Sequence, residues 1–322
     1  MKKFTAVLLS LLIILAMAPG ILGCAHKDDG KIKVVCTIFP QYDWVREIIG
    51  NKADNVDLSL ILNSRADLHS YQPTVDDIVK ISSCDLFIYV GGGSDKWVAD
   101  ALKEASNPDM IVINLMNVIG EAAKAEAIID GMEEDHDDDQ GDEIEYDEHV
   151  WLSLINAKFF CPVIADALSL MDGDNAEKYQ NNLYAYMEKL SALDAEYQAA
   201  VDAAPVKTLL FGDRFPFRYL VDDYNLDYFA AFPGCSAETE ASFETVIFLA
   251  NKVDELNLKS VMVTESSDKS IAKTIISNTA NKNQQILVLD AMQSVTTNDV
   301  KNGTTYLSIM ESNLNVLKEA LV

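Results

Sequence analysis

The sequence predicts an α/β fold of two similar lobes, each a four-stranded parallel sheet covered by helices, joined by one long helix. Three observations predict it. Short, continuously apolar runs alternate with helical patterns in two successive sets, as parallel strands buried on both faces require. Between the sets, apolar residues recur at steps of three and four over a single uninterrupted stretch. Roughly 300 residues follow the leader, enough chain for two separate cores.

The first residues read as a leader. Lys2 and Lys3 precede an apolar run from Phe4 to Met17 that is too short for a good membrane span, so residues 1–23 are expected to be a signal peptide. Ile21-Leu22-Gly23-Cys24 resembles the lipobox of bacterial lipoproteins. That resemblance implies cleavage before Cys24 and lipid on its sulfur; the alternative is an ordinary signal peptide with an incidental cysteine. Residues 24–31 then form a polar tether, and no later stretch reads as apolar enough to cross a membrane.

In the first set, strands are expected at 32–37, 56–61, 85–90 and 110–114, with helices at 41–49, 74–82, 94–105 and 153–171. These make an N-terminal lobe over residues 32–173. In the second set, strands fall at 207–211, 226–230, 259–264 and 285–289, and helices at 215–224, 240–256, 268–280 and 304–321, giving a C-terminal lobe over 205–322. Between them, Tyr179, Leu183, Tyr186, Leu190, Leu193, Tyr197 and Val201 mark one face of a linker helix over 174–204, roughly 45 Å long. Asp172 and Asp174 suit its start and Pro205 stops it. The alternative is two shorter helices with a break. Residues 121–148 interrupt the first lobe. Their run of acids around His136 cannot bury a core and is expected to be a mobile loop.

The formal net charge is −26. Such a chain repels nucleic acid and anionic lipid and attracts cations; the plainer effect of the same charge is solubility. Cys36, Cys84, Cys161 and Cys235 follow the lipobox, and none forms a CxxC pair, which argues against a thiolate cluster or a redox motif. One disulfide is compatible with an exported chain, with its pairing open.

Four histidines occur in the chain. His26 falls in the tether and His136 in the acidic loop, where it is a candidate for auxiliary metal capture. His69 follows the second strand, and His149 precedes a helix after the fourth. Ligands of parallel α/β sheets bind beyond the carboxyl ends of strands. A lone histidine beside an apolar segment is more often structural, but two at matching edges of one sheet point to a metal ion. The strand ends of the second lobe offer Asp213, Glu265 and Asp290. Any one of these alone would read as a turn or cap residue; together they suggest a carboxylate-lined cleft between the lobes. Imidazole with carboxylate suits zinc or manganese better than copper(I).

These segments resemble the metal-binding solute receptors of ABC transporters, the zinc and manganese group with a rigid linker helix. Asp67-Leu68-His69-Ser70-Tyr71 looks like its Asp-Pro-His-x-Tyr segment, with Leu68 for proline. Asp85-Leu86-Phe87-Ile88-Tyr89-Val90-Gly91-Gly92-Gly93, followed by Trp97, looks like its next strand and turn. Glu148-His149-Val150-Trp151-Leu152 looks like its second histidine motif, and Leu289-Asp290 like its C-terminal aspartate ligand. The resemblance spans the chain beyond the leader. It implies high-affinity capture of a divalent ion by a monomer that hands it to a permease in the same membrane: zinc by the acidic loop and the second histidine motif, with manganese, which two imidazoles and two carboxylates suit by ligand hardness, as the alternative. It implies no turnover. The chain departs from the family pattern at Arg214, which stands where a ligand is expected and cannot bind a cation. Asp213 supplies the oxygen if the turn is shifted; otherwise three protein ligands and a water complete the site. The implied metal set is therefore His69, His149, Asp213 and Asp290. A zinc hydrolase, for which HExxH and Gly-x-Ser-x-Gly are lacking, and a surface adhesin are the competing classes.

Overall fold

In the computed structural model, residues 30–50, 54–63, 68–133, 145–236 and 240–322 are described. The expected signal peptide, the lipidation site Cys24, His26, Asp67 and His136 lie outside the described residues. Ile32–Val322 form one unit.

Its first half opens with strand β1 (Ile32–Cys36), helix α1 (Phe39–Ile49), β2 (Val56–Leu60), α2 (Val75–Ser82) and β3 (Leu86–Tyr89). A short α3 (Val98–Lys103), β4 (Ile111–Asn114), α4 (Leu115–Ile119) and α5 (Leu154–Met171) complete it. The four strands pair in parallel in the order β2-β1-β3-β4. Their side chains are apolar because both faces are covered: Val34, Leu86, Phe87 and Ile88 are all buried. Thr74 caps α2, accepting from Asp77 N while Asp77 Oδ2 accepts from Thr74 N at 2.9 Å.

The linker is one unbroken helix, α6 (Ala176–Ala203), entered through a short 3-10 turn at Gly173–Asn175. Its 28 residues make it about 42 Å long. All seven residues of the expected apolar face are its buried residues. Asp172 Oδ2 accepts from Tyr179 Oη at 2.7 Å and Asn175 Nδ2 at 2.9 Å, so this acid fixes the first turn.

The second half contains β5 (Thr208–Phe215), α7 (Arg218–Asp223), β6 (Asp227–Pro233), α8 (Phe243–Glu255), β7 (Ser260–Thr264), α9 (Ser270–Asn278) and β8 (Gln285–Leu289). Helices α10 (Thr297–Lys301) and α11 (Tyr306–Ala320) close the chain. The sheet order, β6-β5-β7-β8, repeats that of the first sheet, again all parallel. In both sheets the chain reverses its direction of growth beside the first strand, at β1/β3 and at β5/β7. Crevices at such switch points are where ligands bind in folds of this class.

Four details differ from expectation. First, β5 does not stop at residue 211: it shifts register between Phe211 and Arg214 and continues to Phe215, so helix 215–224 shortens to α7. The extension is aromatic: Phe215 stacks on Tyr228 with centroids 3.7 Å apart and meets Phe211 edge-on at 5.1 Å. Second, where the sequence left one disulfide open, the cysteines among the described residues are all free thiols, with Cys36, Cys84 and Cys161 buried. Third, α5 is long and apolar enough to pass for a membrane span. It is a core helix packed on α1 and α6. Fourth, the flanks of the acidic segment are ordered. Ala125 and Tyr146 form an antiparallel bridge, and Met132, Asp147 and Glu148 are buried.

Candidate metal centre

His69 sits on a single 3-10 turn, Leu68–Ser70, beyond the carboxyl end of β2. His149 ends the acidic segment, just before the 3-10 turn Val150–Leu152 that leads into α5. The two imidazoles, far apart in sequence, converge: their Nε2 atoms lie 3.2 Å apart. Zinc–nitrogen bonds of about 2.0–2.1 Å at a tetrahedral angle set two ligand nitrogens roughly 3.3 Å apart. The observed separation fits two ligands to one ion, and equally an N–H···N hydrogen bond between the rings.

The far side of each ring is held. His149 Nδ1 lies 3.1 Å from Asp147 Oδ1, which also accepts from the His149 backbone N at 2.8 Å. His69 Nδ1 lies 2.8 Å from Ser94 Oγ and 3.9 Å from Glu148 Oε2. A carboxylate on Nδ1 keeps the proton there and directs the Nε2 lone pair at the ion. His149 is fully buried. Burial alone would lower its pKa, but Asp147, Glu148 and Glu126 together outweigh burial and raise it.

The glycine turn after β3 supports this arrangement. Asp95 Oδ2 accepts from Val90 N at 3.0 Å and Gly91 N at 2.9 Å, and Glu148 Oε1 accepts from Ser94 N at 2.9 Å. Gly92 has φ +87°, and a Cβ there would collide with the Glu148 carboxylate. Burial pushes Glu148 and Asp95 above the usual carboxylate range, Asp95 to about 6.

From the second lobe, the extension of β6 to Pro233 brings the turn Gly234-Cys235 onto the histidines. Among the described residues, His69, His149 and Cys235 form a group whose candidate ligand atoms lie within 4.8 Å of one another. The turn is held from two sides: Glu126 Oε1 accepts from Cys235 N at 2.9 Å, and Arg214 Nη1 donates to Ser236 O at 3.3 Å. A Cβ on Gly234 would stand 2.8 Å from Phe215 O and 3.2 Å from the His149 ring, so only glycine permits this approach. Burial, then Glu126, Asp147 and Glu148, push the Cys235 thiol far up, and burial lifts Glu126 to about 7.

Asp213 and Asp290 lie outside that group. Asp213 is inside β5 rather than beyond it, and both its oxygens are engaged in the sheet. Oδ2 accepts from Thr264 N at 2.9 Å and Thr264 Oγ1 at 2.8 Å, and Oδ1 accepts from Arg214 N at 2.8 Å. Asp290 caps the turn after β8, with Oδ1 accepting from Met292 N at 2.7 Å. Burial, then neighbouring Glu265, raise it to about 7. Glu265 holds the same turn through Ala291 N at 2.8 Å and Gln293 N at 2.9 Å. That turn reaches the histidines through Trp151, whose Nε1 donates to Ala291 O at 3.0 Å and whose ring lies 5.1 Å from that of His149.

The structure thus brings together the two imidazoles expected from the sequence, and sets beside them Asp147, Ser94, Glu126 and Cys235, which sequence reasoning did not single out. The cysteine carried a usable signal, since Gly234-Cys235 directly follows an apolar strand of the second sheet.

Residues 34–320 match the family model described as zinc-uptake complex component A, periplasmic. The chain is 30% identical over 324 residues to the zinc-binding lipoprotein AdcA of Streptococcus pneumoniae serotype 4, covering 99% of this chain and 61% of that protein. It thus spans about 61% of the length of that relative. It is 28% identical over 304 residues to the high-affinity zinc uptake system protein ZnuA of Bacillus subtilis, covering 93% of this chain and 91% of that protein. The crystal structure of the Zn(II)-bound ZnuA-like domain of S. pneumoniae AdcA superposes with a TM-score of 0.70 at 27% identity, covering 91% of this chain and 99% of that one. With two repeated parallel sheets, a single linker helix and paired histidines at the strand ends, the chain belongs to the family of the periplasmic zinc-uptake component A.

Proposed function

We propose that this protein captures a zinc ion outside the cytoplasm and delivers it to an ABC permease. The observation that carries the reading is the pair of Nε2 atoms 3.2 Å apart, each ring fixed from behind by Asp147 or Ser94. That is a preorganised two-imidazole half-site, and imidazole suits zinc better than the oxygen-preferring manganese, the competing ion. The zinc-binding lipoprotein AdcA and the high-affinity zinc uptake protein ZnuA, both relatives, support the same ion. His69 and His149 are the nitrogen ligands. Asp290 is the second-lobe carboxylate best placed to join them, because its turn contacts Trp151 beside His149. Asp213 serves the sheet.

The protein acts as a monomeric receptor, tethered through lipid on Cys24 to the outer face of the cytoplasmic membrane, with His136 in the acidic segment gathering ions for it. Zinc is cargo here, so the site binds and releases without turnover. Chelator competition with the metal-stripped protein tests the reading. His69→Ala and His149→Ala should each weaken zinc binding beyond the roughly 10–100-fold typical of losing a supporting residue. Wild-type affinity in either variant would sink the ligand assignment. Failure of the wild-type protein to bind zinc at all would sink the function.

A further inference from the structure

We propose that Cys235 is a direct sulfur ligand of the transported ion, so that His69, His149 and Cys235 form a mixed nitrogen–sulfur site that selects zinc over manganese. The inference rests on the zinc-receptor reading above and deepens it.

The geometry supports a ligand rather than a bystander. The thiol lies with the two imidazoles in a group whose donor atoms are all within 4.8 Å of one another, compact enough for one ion after small adjustments. Tetrahedral zinc with bonds of about 2.3 Å to sulfur and 2.0–2.1 Å to nitrogen needs donor separations of roughly 3.3–3.6 Å. The turn that carries the thiol is built for the position. Glu126 holds its backbone N–H, Arg214 holds the next carbonyl through Ser236, and Gly234 gives up its side chain so that the turn can close on the His149 ring. Three residues from three different segments thus place one sulfur. Among the described residues, the other cysteines, Cys36, Cys84 and Cys161, are buried in the core of the first lobe, on β1, before β3 and on α5.

Binding exchanges the S–H proton for the ion: a zinc–sulfur bond forms, the S–H bond breaks, and the proton leaves to solvent. No oxidant or further reactant is involved. The chemical consequence is selectivity. Thiolate is a soft donor that favours zinc and disfavours manganese, whereas a carboxylate in the same place would narrow the difference. Arg214 then acts as a positioning residue for the sulfur.

Cobalt(II) tests this directly, as it occupies zinc sites and reports thiolate ligation through an intense near-ultraviolet charge-transfer band. The reduced, metal-stripped protein is titrated with cobalt(II), then with zinc and manganese in competition. The wild-type protein should show the band. Cys235→Ser should lose it while keeping the weak visible bands of histidine-bound cobalt, and its zinc affinity should fall at least about tenfold. Cys235→Asp should reduce the preference for zinc over manganese by a similar factor. Cys235→His should recover zinc binding without the band, which separates lost ligation from a damaged fold. A wild-type cobalt complex without the band, or a band that survives in Cys235→Ser, would overturn the proposal and leave the zinc receptor standing. A wild-type protein that binds neither zinc nor cobalt would overturn both.

Discussion

Asp147 shows how much of the centre lies behind the residues that meet the ion. Its Oδ1 holds both the backbone N and the Nδ1 of His149, while its carbonyl accepts from Tyr219 Oη at 2.9 Å. The side chain therefore orients the imidazole, and the main chain anchors the segment to the second lobe. Asp147→Ala should keep the Tyr219 contact and the fold but lower zinc affinity roughly 10–100-fold, the usual effect of removing the carboxylate behind a ligating histidine. Wild-type affinity in a folded variant would show that burial alone aligns the ring. Gly234→Ala is the opposite kind of test, because it adds an atom rather than removing a bond. The new Cβ meets backbone at Phe215 O, which cannot move cheaply, so a loss of about 1–3 kcal/mol is expected in denaturant melts. Unchanged stability would mean that the turn lies further from Phe215 than the structure places it.

At the scale of elements, the seam between β5 and β7 explains the position of Asp213. These strands share a single matched pair, Phe211 with Met262, and just beyond it β5 shifts register against β6. The Asp213 carboxylate then takes both donors of Thr264, doing with a side chain what the ladder no longer does with backbone. Asp213→Ala should lower unfolding stability by about 1.5–3 kcal/mol, as for lost hydrogen bonds to a charged group, with zinc affinity near that of the wild type. A large loss of affinity at full stability would instead return Asp213 to the ligand set. The same seam marks where the sequence stops being legible. All eight strands and the buried face of the linker could be read from periodicity, because burial on both faces of a sheet or one face of a helix is written locally. The continuation of β5 through Gly212 and Asp213 could not, since polar residues in mid-strand look like a turn until Tyr228 is seen stacking on Phe215. The histidines were legible for a related reason: strand ends in parallel sheets have a fixed role. Cys235 was set aside for lack of a nearby second cysteine, a rule suited to local thiolate pairs and blind to a site assembled from two lobes.

The two lobes are tied together by more than the linker. Tyr197 of α6 donates to Met310 O of α11 at 2.6 Å, and Tyr306 at the start of α11 donates through Oη to Trp151 O at 2.8 Å and through its backbone N to Asp43 at 2.7 Å. One buried apolar cluster continues from the first sheet through α6 into α7 and α11. A wide hinge would have to open this core, so ion capture should proceed with small lobe displacements. This joined interior also encloses acids. Burial lifts Asp43, Asp95 and Asp223 to about 6 and Glu126 and Asp290 to about 7. A carboxyl group whose folded pKa exceeds its unfolded value of about 4 binds its proton more tightly in the native state. Its contribution is favourable at low pH and is lost as pH rises from about 4 through the folded pKa, here a window ending near 7. The raised pKa of His149 acts in the same sense, present below about 6.5 and lost above its folded value. Asp77 runs the other way, but its depressed pKa confines its effect to pH values below about 4. The metal-free protein should therefore melt at a higher temperature at about pH 5.5 than at about pH 7.5. Zinc inverts the trend, because its ligands must be deprotonated and its cation relieves the repulsion among the acids, so the gain in melting temperature on adding zinc should grow with pH. Thermal melts at both pH values, with chelator and with excess zinc, measure the two effects together. A metal-free melting temperature that climbs with pH would mean that the buried acids are solvated or paired in solution, and the electrostatic account of an ion-dependent interior would fail with it.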